Sequence, residues 1–390
     1  MNTFLQSRWG VLAGFAAGAV LLLVAAPAAL SAFNLALLGK FICFAIVAVG
    51  IGLAWGRGGM LTLGQGVFFG LGAYIMAMHL KLADASLFGG SGVPDFMSLY
   101  GSGEVPGWWE PFRSPAVTLA AVVLVPGLVA LLLGLAVFKR RVKGAYFAIL
   151  SQALAAAFAV FLIGQQATTG GSNGLSGFRS FFGFDLKDPA NKLMLYSIAA
   201  VVLLLALAAA RQLMHSRFGE LLVAVRDQEE RVRFLGYDPA TIKTVTYVIA
   251  AVVAGIAGAL FVPIVGIISP ADVGVIPSIA FLIGVAIGGR ATLLGPVLGA
   301  LSVAIAQTSL ASTFPSFWVY FQGLLFVLVI GFMPGGLASL PRIAARLKQR
   351  GAGHSNARQG SPGRRRTAPA PVPAAASTPA ASTIPEEASR

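Results

Sequence analysis

Charged side chains are scarce in this sequence: Asp, Glu, Lys and Arg make up 11% of its 390 residues, against about 25% in a soluble globular protein. So few charges cannot cover a water-facing surface, which excludes a soluble enzyme, a nucleic-acid-binding domain and a disordered protein. The apolar residues, 57% of the chain, stand in long continuous runs rather than alternating ones. This pattern indicates membrane-spanning helices rather than a β-barrel.

Cysteine, histidine and nucleotide-binding motifs are scarce as well. Cys43 is the single cysteine and lies inside an apolar run, so no disulfide can form within the chain. The three histidines, His79, His215 and His354, do not pair at a metal-ligand spacing, and no GxxxxGK[ST] motif is present that would bind and hydrolyse ATP. We therefore expect neither an enzyme nor a bound metal or cofactor.

The net charge of +14 is distributed unevenly along the chain. Residues 341–390 carry nine basic and two acidic side chains, and they are rich in Pro, Ala, Ser and Thr. Because this stretch has too few large apolar residues to offset its ordering entropy, we predict a disordered basic tail that follows a transmembrane domain of residues 1–340. Most of the remaining excess lies in short loops, as the positive-inside rule predicts for a membrane protein.

A helix that crosses a bilayer needs about 20 apolar residues. Ten runs approach this length, so the predicted fold is all-α and polytopic, with about ten transmembrane helices. The eighth run is short and contains Pro277, which is typical of a broken or half-crossing helix. The predicted spans are 11–33, 36–55, 59–80, 115–138, 144–164, 193–213, 244–263, 273–289, 292–311 and 317–334.

The loops between these spans predict the orientation of the chain. Residues 139–143 read KRRVK and should be cytoplasmic, whereas the 81–114 loop carries four acids and two bases and suits the outside. Counting ten crossings from these two loops places both termini in the cytoplasm. Arg8, Arg57 and Arg290 then also fall on the cytoplasmic side.

The predicted spans contain no Asp or Glu, and Lys40 stands within one turn of a span end, where its side chain can reach the interface. Gradient-driven transporters usually place ionisable groups at membrane depth. Their absence favours energy supplied by a partner protein, and a neutral polar solute that amides and hydroxyls can bind. For each candidate path residue the alternative role is a hydrogen bond between helices. The candidates are Thr62, Gln65, Gln152, Asn173 and Gln307.

Residues 217–239, between the sixth and seventh spans, are predicted to form a short amphipathic helix in the cytoplasm. Its apolar residues recur at helical spacing, and acids and bases four residues apart can pair along the opposite face. The stripe comprises Leu221, Val225, Val232 and Leu235. The expected pairs are Arg226–Glu230, Asp227–Arg231 and Glu229–Arg233.

The charge of this helix favours a protein partner over a lipid surface. Residues 220–235 hold three bases and four acids, whereas an interfacial helix is normally basic and carries bulky aromatic residues. A glycine at position 236 predicts the end of the helix. The residues expected to contact or position the partner are Gly219, Glu220, Leu221, Val225, Arg226, Asp227, Glu230 and Gly236.

Six blocks of the sequence stand in an order typical of one family: residues 39–80, 141–154, 169–178, 216–239, 253–270 and 287–300. In these blocks the chain resembles the LivM-like branched-chain amino acid permeases, over about residues 1–340. The VPDFM stretch at 93–97, the WWEPF stretch at 108–112, RVKGAYF and GGSNGL further resemble the second permease subunit of bacterial urea ABC importers. Thr62 and Gln65 stand where the family usually has Ser and His.

The resemblance implies an ABC importer permease fold, multi-pass in the bacterial inner (plasma) membrane. It implies four kinds of partner: a second homologous permease subunit, two ATP-binding cassette subunits, a periplasmic substrate-binding protein and the lipid bilayer. The 217–239 segment would contact the ATPase, and the solute would be urea, with branched-chain or other amino acids as the alternative. Two other classes stay open: a gradient-driven transporter or channel acting alone, and a membrane scaffold without transport.

Overall fold

A computed structural model describes residues 8–88, 92–101, 103–142, 144–290, 292–313 and 318–332 of the chain. These residues are predominantly helical. The helices are α1 (Arg8–Val20), α2 (Ala26–Ala29), α3 (Ala32–Ile51), α4 (Gln65–Phe88), α5 (Asp95–Tyr100), α6 (Pro115–Phe138), α7 (Ala145–Gly164), α8 (Gln166–Thr169), α9 (Pro189–Met214), α10 (Arg217–Phe234), α11 (Pro239–Val265), α12 (Val275–Gly288), α13 (Gly295–Thr313) and α14 (Trp318–Phe332).

Short elements connect these helices. Two π-helical turns, Leu21–Ala25 and Gly52–Arg57, follow α1 and α3, and 3-10 turns occur at Glu110–Arg113, Gly171–Asn173 and Pro270–Asp272. Two small antiparallel ribbons pair β1 with β4 and β2 with β3. The strands are β1 (Leu175–Ser176), β2 (Ser180–Phe181), β3 (Phe184–Asp185) and β4 (Ile267–Ile268).

Seven helical stretches of the described residues are long and apolar enough to cross a membrane, which makes the chain a multi-pass helical membrane protein. Two shorter apolar helices, Ala13–Ala29 and Gly295–Leu310, and the 15-residue α14 correspond to the other predicted spans. The count of ten crossings and the cytoplasmic termini stay predictions, and the 341–390 tail lies outside the described residues. The seven stretches are Ala32–Arg57, Gln65–Leu87, Pro115–Phe138, Ala145–Gly164, Pro189–Met214, Pro239–Val265 and Pro270–Gly288.

The third span differs from its predicted bounds of 59–80 at both ends. Residues 58–64 are not helical, and α4 begins at Gln65, because Gly59 takes a φ of +67° that an α-helix does not accept. The helix also continues past residue 80, so that Asp84 lies within it, buried. The expectation that no acid lies within a membrane helix is therefore wrong at this position.

The Asp84 carboxylate is buried because a distant loop supplies its hydrogen-bond donors. It accepts hydrogen bonds from the backbone N–H groups of Arg179 (2.7 Å) and Ser180 (3.0 Å) and from the Ser180 hydroxyl (2.6 Å). These three hydrogen bonds satisfy oxygens of a carboxylate that is largely withdrawn from water. This contact ties the C-terminal end of α4 to the loop that carries β2.

The core of the bundle is built around α11, which packs against α3, α4 and α6. Small residues allow α4 and α11 to approach with their backbones in contact: a Cβ added at Gly72 would overlap the carbonyl oxygen of Gly255, and one at Gly258 would overlap that of Phe69. Pro277 stands in the first turn of α12 and does not break this helix, since no intrahelical partner is lost there. The 14 residues of α12 alone reach about 21 Å, and the turn that begins at Pro270 completes the 19-residue span Pro270–Gly288.

Candidate functional site

A non-helical segment between α3 and α4 (residues 58–64, the buried loop) passes through the interior of the bundle. Most of its residues are buried or half-buried, with Gly59 exposed. Side chains of two other helices supply hydrogen-bond partners: the Leu63 N–H donates to Ser151 Oγ at 3.1 Å, and the Gly66 N–H just after the loop donates to Ser278 Oγ at 3.0 Å. Irregular backbone in a membrane protein is tolerated where protein satisfies it in this way, and it is common beside solute paths.

Thr62 and Gln65, two of the predicted path residues, meet at the end of this loop. Each is 1% exposed, and Gln65 Nε2 donates a hydrogen bond of 3.3 Å to Thr62 Oγ1. In the part of the chain that the structure describes, Gln65 Oε1 has no hydrogen-bond partner. A buried acceptor without a donor costs about 1–3 kcal/mol, so this oxygen is suited to receive an N–H or O–H group of a small polar molecule.

A cavity of about 270 Å³ lies between α3, α12, α13 and α14. Four polar side chains line it: Lys40, Asp272, the predicted path residue Gln307, and Gln322. Lys40 stands in the third turn of α3 rather than within one turn of its end, because the helix begins at Ala32, and its Nζ lies 5.8 Å from the centre of the Phe44 ring. The cavity therefore has a cationic and an anionic side chain among its lining groups.

Gln152 and Asn173 are not brought to either place. Gln152 is half-buried on α7, one position beyond Ser151, and Asn173 is exposed on the 3-10 turn Gly171–Asn173. Sequence reasoning missed the polar groups of Ser151, Ser278, Asp272 and Gln322. Gln322 could have been predicted from the sequence, since it is an amide inside an otherwise apolar run. The two serines could not, because they resemble any serine of a helix interface.

The pattern GGSNG at residues 170–174 matches the G-x-S-x-G form of a nucleophile elbow, but its structural context differs. The short helix α8 precedes it and the 3-10 turn Gly171–Asn173 contains its serine. A nucleophile elbow requires a strand before the serine and a helix after it. Ser172 is therefore an exposed turn residue rather than the serine of a nucleophile elbow.

The predicted cytoplasmic helix is present as α10. Ser216 caps its N-terminus by accepting a hydrogen bond of 3.4 Å from the Gly219 N–H. At its other end Gly236 has a φ of +89° and donates its N–H to the Arg233 carbonyl at 3.0 Å, which confirms the predicted glycine C-cap. Gly219 has no room for a side chain, because a Cβ there would overlap the carbonyl oxygens of the preceding helix end.

The helix is broken near its middle, at Gln228, whose φ of −150° and ψ of +76° are not helical. Ion pairs predicted to cross this break are replaced by others, because four-residue spacing no longer places two side chains on one face. Arg226 pairs with the adjacent Asp227 at 2.8 Å, and Glu230 pairs with Arg233 at 2.8 Å. These contacts replace the expected Arg226–Glu230 and Asp227–Arg231 pairs.

The third predicted pair lies wholly beyond the break and is present: Glu229 and Arg233 are 3.5 Å apart. Glu229 also accepts a hydrogen bond of 2.7 Å from Lys243 on α11, and both of these side chains are shielded from solvent. The Glu229–Lys243 pair therefore holds the second half of α10 against the transmembrane helix that follows it.

The apolar stripe of α10 is buried in part. Val225 and Val232 pack in a small core with Leu53 and with Leu222, which the predicted stripe did not contain, and Leu221 is half-buried at its edge. The fourth predicted member, Leu235, is 76% exposed because it caps the helix after its last turn. Its neighbour Phe234 is 90% exposed, so two large apolar side chains are exposed at the end of α10.

Arg226 joins α10 to the buried loop. Its Nη1 donates a hydrogen bond of 2.8 Å to the carbonyl oxygen of Gly56, and its side-chain stem packs so closely on Gly59 that a Cβ there would meet it. Leu222 similarly packs on Gly58. The same guanidinium holds the pKa of the exposed Asp227 carboxyl below its usual value, chiefly through their hydrogen bond.

A helical bundle with a cavity that four polar side chains line and with a largely buried non-helical loop is typical of integral membrane proteins of the transporter class. Residues 33–330 match the family described as "branched-chain amino acid transport system / permease component", and the chain belongs to this family. It is a multi-pass membrane permease.

Curated relatives agree with this assignment. The chain is 26% identical over 328 residues to the high-affinity branched-chain amino acid transport system permease protein LivM of Escherichia coli strain K12, covering 78% of this chain and 70% of that protein. The LivM protein of Salmonella typhimurium strain LT2 is 27% identical with the same coverage. No solved structure matches the chain significantly.

Proposed function

We propose that this chain is a transmembrane permease subunit of an ATP-driven ABC importer in the bacterial inner membrane. It would form half of a translocation path with a second homologous permease, and two ATP-binding cassette subunits would supply the energy. The single observation that carries this proposal is α10, a charged helix between two membrane helices. Its Arg226 hydrogen-bonds to Gly56, just before the buried loop, and packs on Gly59 within it.

The exposed end of α10 supports docking to an ATPase. The side chains of Phe234 and Leu235 are exposed, and that of Tyr237 just beyond them is half exposed. Apolar and aromatic side chains that are exposed singly at a helix end gain most when they enter a pocket of a partner protein. Movement of the ATPase subunits would displace this end, and the Arg226–Gly56 hydrogen bond would carry the displacement to the buried loop that holds Thr62 and Gln65.

The outer loops support docking of a substrate-binding protein. Loops 81–114 and 165–192 expose large apolar side chains, which include Leu99, Trp108 and Phe184. The β2–β3 ribbon and the Asp84 contacts hold these loops in a defined arrangement. A pre-ordered surface with exposed aromatic residues is what recognition by a protein partner requires.

For the solute we propose urea, with amino acids as the second candidate. The unpartnered Gln65 Oε1 supports urea, since a neutral amide offers the N–H groups that this oxygen lacks. Two observations favour amino acids. The relatives are named for branched-chain amino acid transport, and the cavity is lined by both Lys40 and Asp272, which match the two charges of a zwitterion.

The test is ATP-dependent uptake by the complete transporter in proteoliposomes, with radiolabelled urea and leucine supplied on the binding protein. We expect uptake only when the ATPase subunits and ATP are present. Uptake by this chain alone along an ion or solute gradient would instead establish the independent transporter or channel. In pull-downs, Phe234→Ser with Leu235→Ser should lose the ATPase subunits, whereas Leu99→Ser, equally exposed on another helix, should retain them.

A further inference from the structure

We infer that the cavity between α3, α12, α13 and α14 is a solute-binding site contained within this one chain. It takes a small molecule that presents an oxygen acceptor to Lys40 and Gln322 and N–H groups to Asp272 and Gln307. This inference rests on the proposed transport function. It goes beyond that function, since a site inside one subunit differs from a path that forms only between two permeases.

The donor side of the site is incomplete without a ligand. Gln322 is 6% exposed and lines the cavity, and within the described residues its Nε2 has no hydrogen-bond partner. An unpaired N–H among apolar helices is costly, because no lipid group can replace water as its acceptor. Lys40 adds three more N–H donors to the same cavity. These groups match a carboxylate or a carbonyl oxygen.

The acceptor side is held in place by the turn before α12. Asp272 Oδ2 accepts hydrogen bonds from the Ser269 N–H at 3.0 Å and from the Ser269 hydroxyl at 2.7 Å. These bonds orient the carboxylate, and its negative charge contributes to the lining of the cavity together with the amide of Gln307. Amide or ammonium N–H groups are the chemistry that these oxygens bind.

Lys40 and Asp272 line one cavity without neutralising each other. In the part of the chain that the structure describes they form no ion pair, since the Lys40 Nζ lies against the Phe44 ring and Asp272 is bonded to Ser269. A charge withdrawn from water is stable only when it is paired or hydrogen-bonded. A molecule that carries both an acceptor oxygen and N–H groups would pair with both side chains at once.

The size and the walls of the cavity set the class of ligand. A volume of about 270 Å³ falls just below the ~300–1,000 Å³ of sites for drug-sized molecules, so the ligand is small. The remaining walls are apolar and aromatic, and they would contact a short hydrocarbon group or the face of a planar amide. Urea and an α-amino acid share the required chemistry. The principal wall residues are Phe44, Ile276, Ala280, Phe281, Ala300 and Val303.

Two variants test the site in the assembled transporter: Lys40→Met and Gln322→Leu. Both replace a polar cavity group with an apolar one of similar size, and Gln322→Leu removes an unpaired donor, so the fold should be retained. The control is Lys139→Met, which removes the same charge from an exposed position at the end of α6, away from the cavity and from the loops proposed to dock a partner. Binding of radiolabelled leucine and of radiolabelled urea is measured by equilibrium dialysis of the purified complex, and uptake is measured in proteoliposomes.

We expect each cavity variant to weaken binding and uptake of the transported solute at least tenfold, with Lys139→Met unchanged. A larger loss for leucine than for urea in Lys40→Met would identify a zwitterion, and equal losses in both variants would identify a neutral amide. Binding and uptake of both solutes within twofold of wild type in both variants would overturn the inference. Binding that depends on Lys40 without ATP-driven uptake would uphold the site while contradicting the importer function.

Discussion

The Arg226 guanidinium reaches from α10, the helix predicted to face the cytoplasm, to the carbonyl oxygen of Gly56, 170 positions earlier in the sequence, at a distance of 2.8 Å. The same side chain pairs with Asp227 and packs on Gly59. One residue therefore links the surface that would receive a force to the loop that would respond to it, and it does so by directional hydrogen bonds rather than by apolar contact alone.

Replacement of Arg226 by Gln should uncouple ATP hydrolysis from uptake. The neutral amide is too short to bond both Gly56 and Asp227, so we expect several-fold slower uptake with assembly of the complex retained. Arg226→Lys should restore part of the activity, since an ammonium keeps the charge but lacks the planar fork. Arg231→Gln, an exposed arginine of the same helix, is the control. Uptake in Arg226→Gln equal to that of this control would contradict the coupling role.

Gln65→Leu should separate stability from transport. Because the Gln65 Oε1 is buried without a partner, an apolar side chain of similar volume should change the free energy of unfolding by less than about 1 kcal/mol or raise it. Uptake should nevertheless fall if this oxygen contacts the solute. The measurements are thermal unfolding in detergent and uptake in proteoliposomes, with the exposed Gln212→Leu as control. Normal uptake would remove Gln65 from the solute path.

Gly258→Ala should destabilise the bundle. The added methyl group would overlap the carbonyl oxygen of Phe69, and overpacking of this kind typically costs about 1–3 kcal/mol. Gly164→Ala is the matched control, because nothing lies near the position of its Cβ. We expect a lower unfolding temperature in detergent and lower expression for Gly258→Ala alone. Equal stability of the two variants would show that α4 and α11 are not in backbone contact.

Protonation of Asp238 should make the protein less stable in acid. It caps α11 by accepting hydrogen bonds from the Thr241 hydroxyl and the Ala240 N–H, and the hydroxyl is the chief cause of a pKa below the usual value. A lowered pKa contributes stability that is present above the ordinary pKa and is lost as the pH falls through the lowered one. Asp238→Ala should cost about 1 kcal/mol at pH 7.

The loss caused by Asp238→Ala should shrink as the pH falls below about 4. Thermal unfolding in detergent from pH 7 to pH 3 measures it. In Thr241→Val, the stability that the Asp238 carboxylate contributes should be lost at higher pH than in the wild type, because the hydroxyl that lowers the pKa of Asp238 is then absent. A constant difference between Asp238→Ala and wild type across this range would show that the charge of the carboxylate is not what caps the helix.

Cysteine labelling can test the predicted topology without removing the native thiol. Cys43 is fully buried and should not react. A membrane-impermeant maleimide should label Glu104→Cys in intact cells, and Arg140→Cys only after permeabilisation. Both native residues are exposed, so access to the reagent should depend on the side of the membrane. Labelling of Arg140→Cys in intact cells would contradict the orientation with cytoplasmic termini.

Long apolar runs and terminal caps were predictable from the sequence. The run 115–138 coincides with α6, and the glycine at 236 ends its segment as expected. The break at Gln228 was not predictable, since it involves neither Gly nor Pro. The burial of Asp84 was not predictable either, because its partner Ser180 lies 96 positions away.

The candidate site was predicted only in part, for a related reason. Thr62 and Gln65 are close in the sequence and stay together in the fold. The cavity instead collects Lys40, Asp272 and Gln322 from three separate elements, and only the packing of those elements decides that they face one space. The predicted span began at residue 36, which placed Lys40 close to its end and favoured the interpretation of an interfacial lysine. The helix in fact begins at Ala32, so Lys40 lies deeper within it.

The backbone contact between α4 and α11 has a consequence for the transport cycle. Where Gly72 meets Gly255, no layer of side chains separates the two helices, so there are no rotamers whose change could absorb a shift between them. Such a pair moves as one rigid body. If the chain is the importer subunit proposed above, we expect these two helices to keep their mutual position while the elements around them open and close the path.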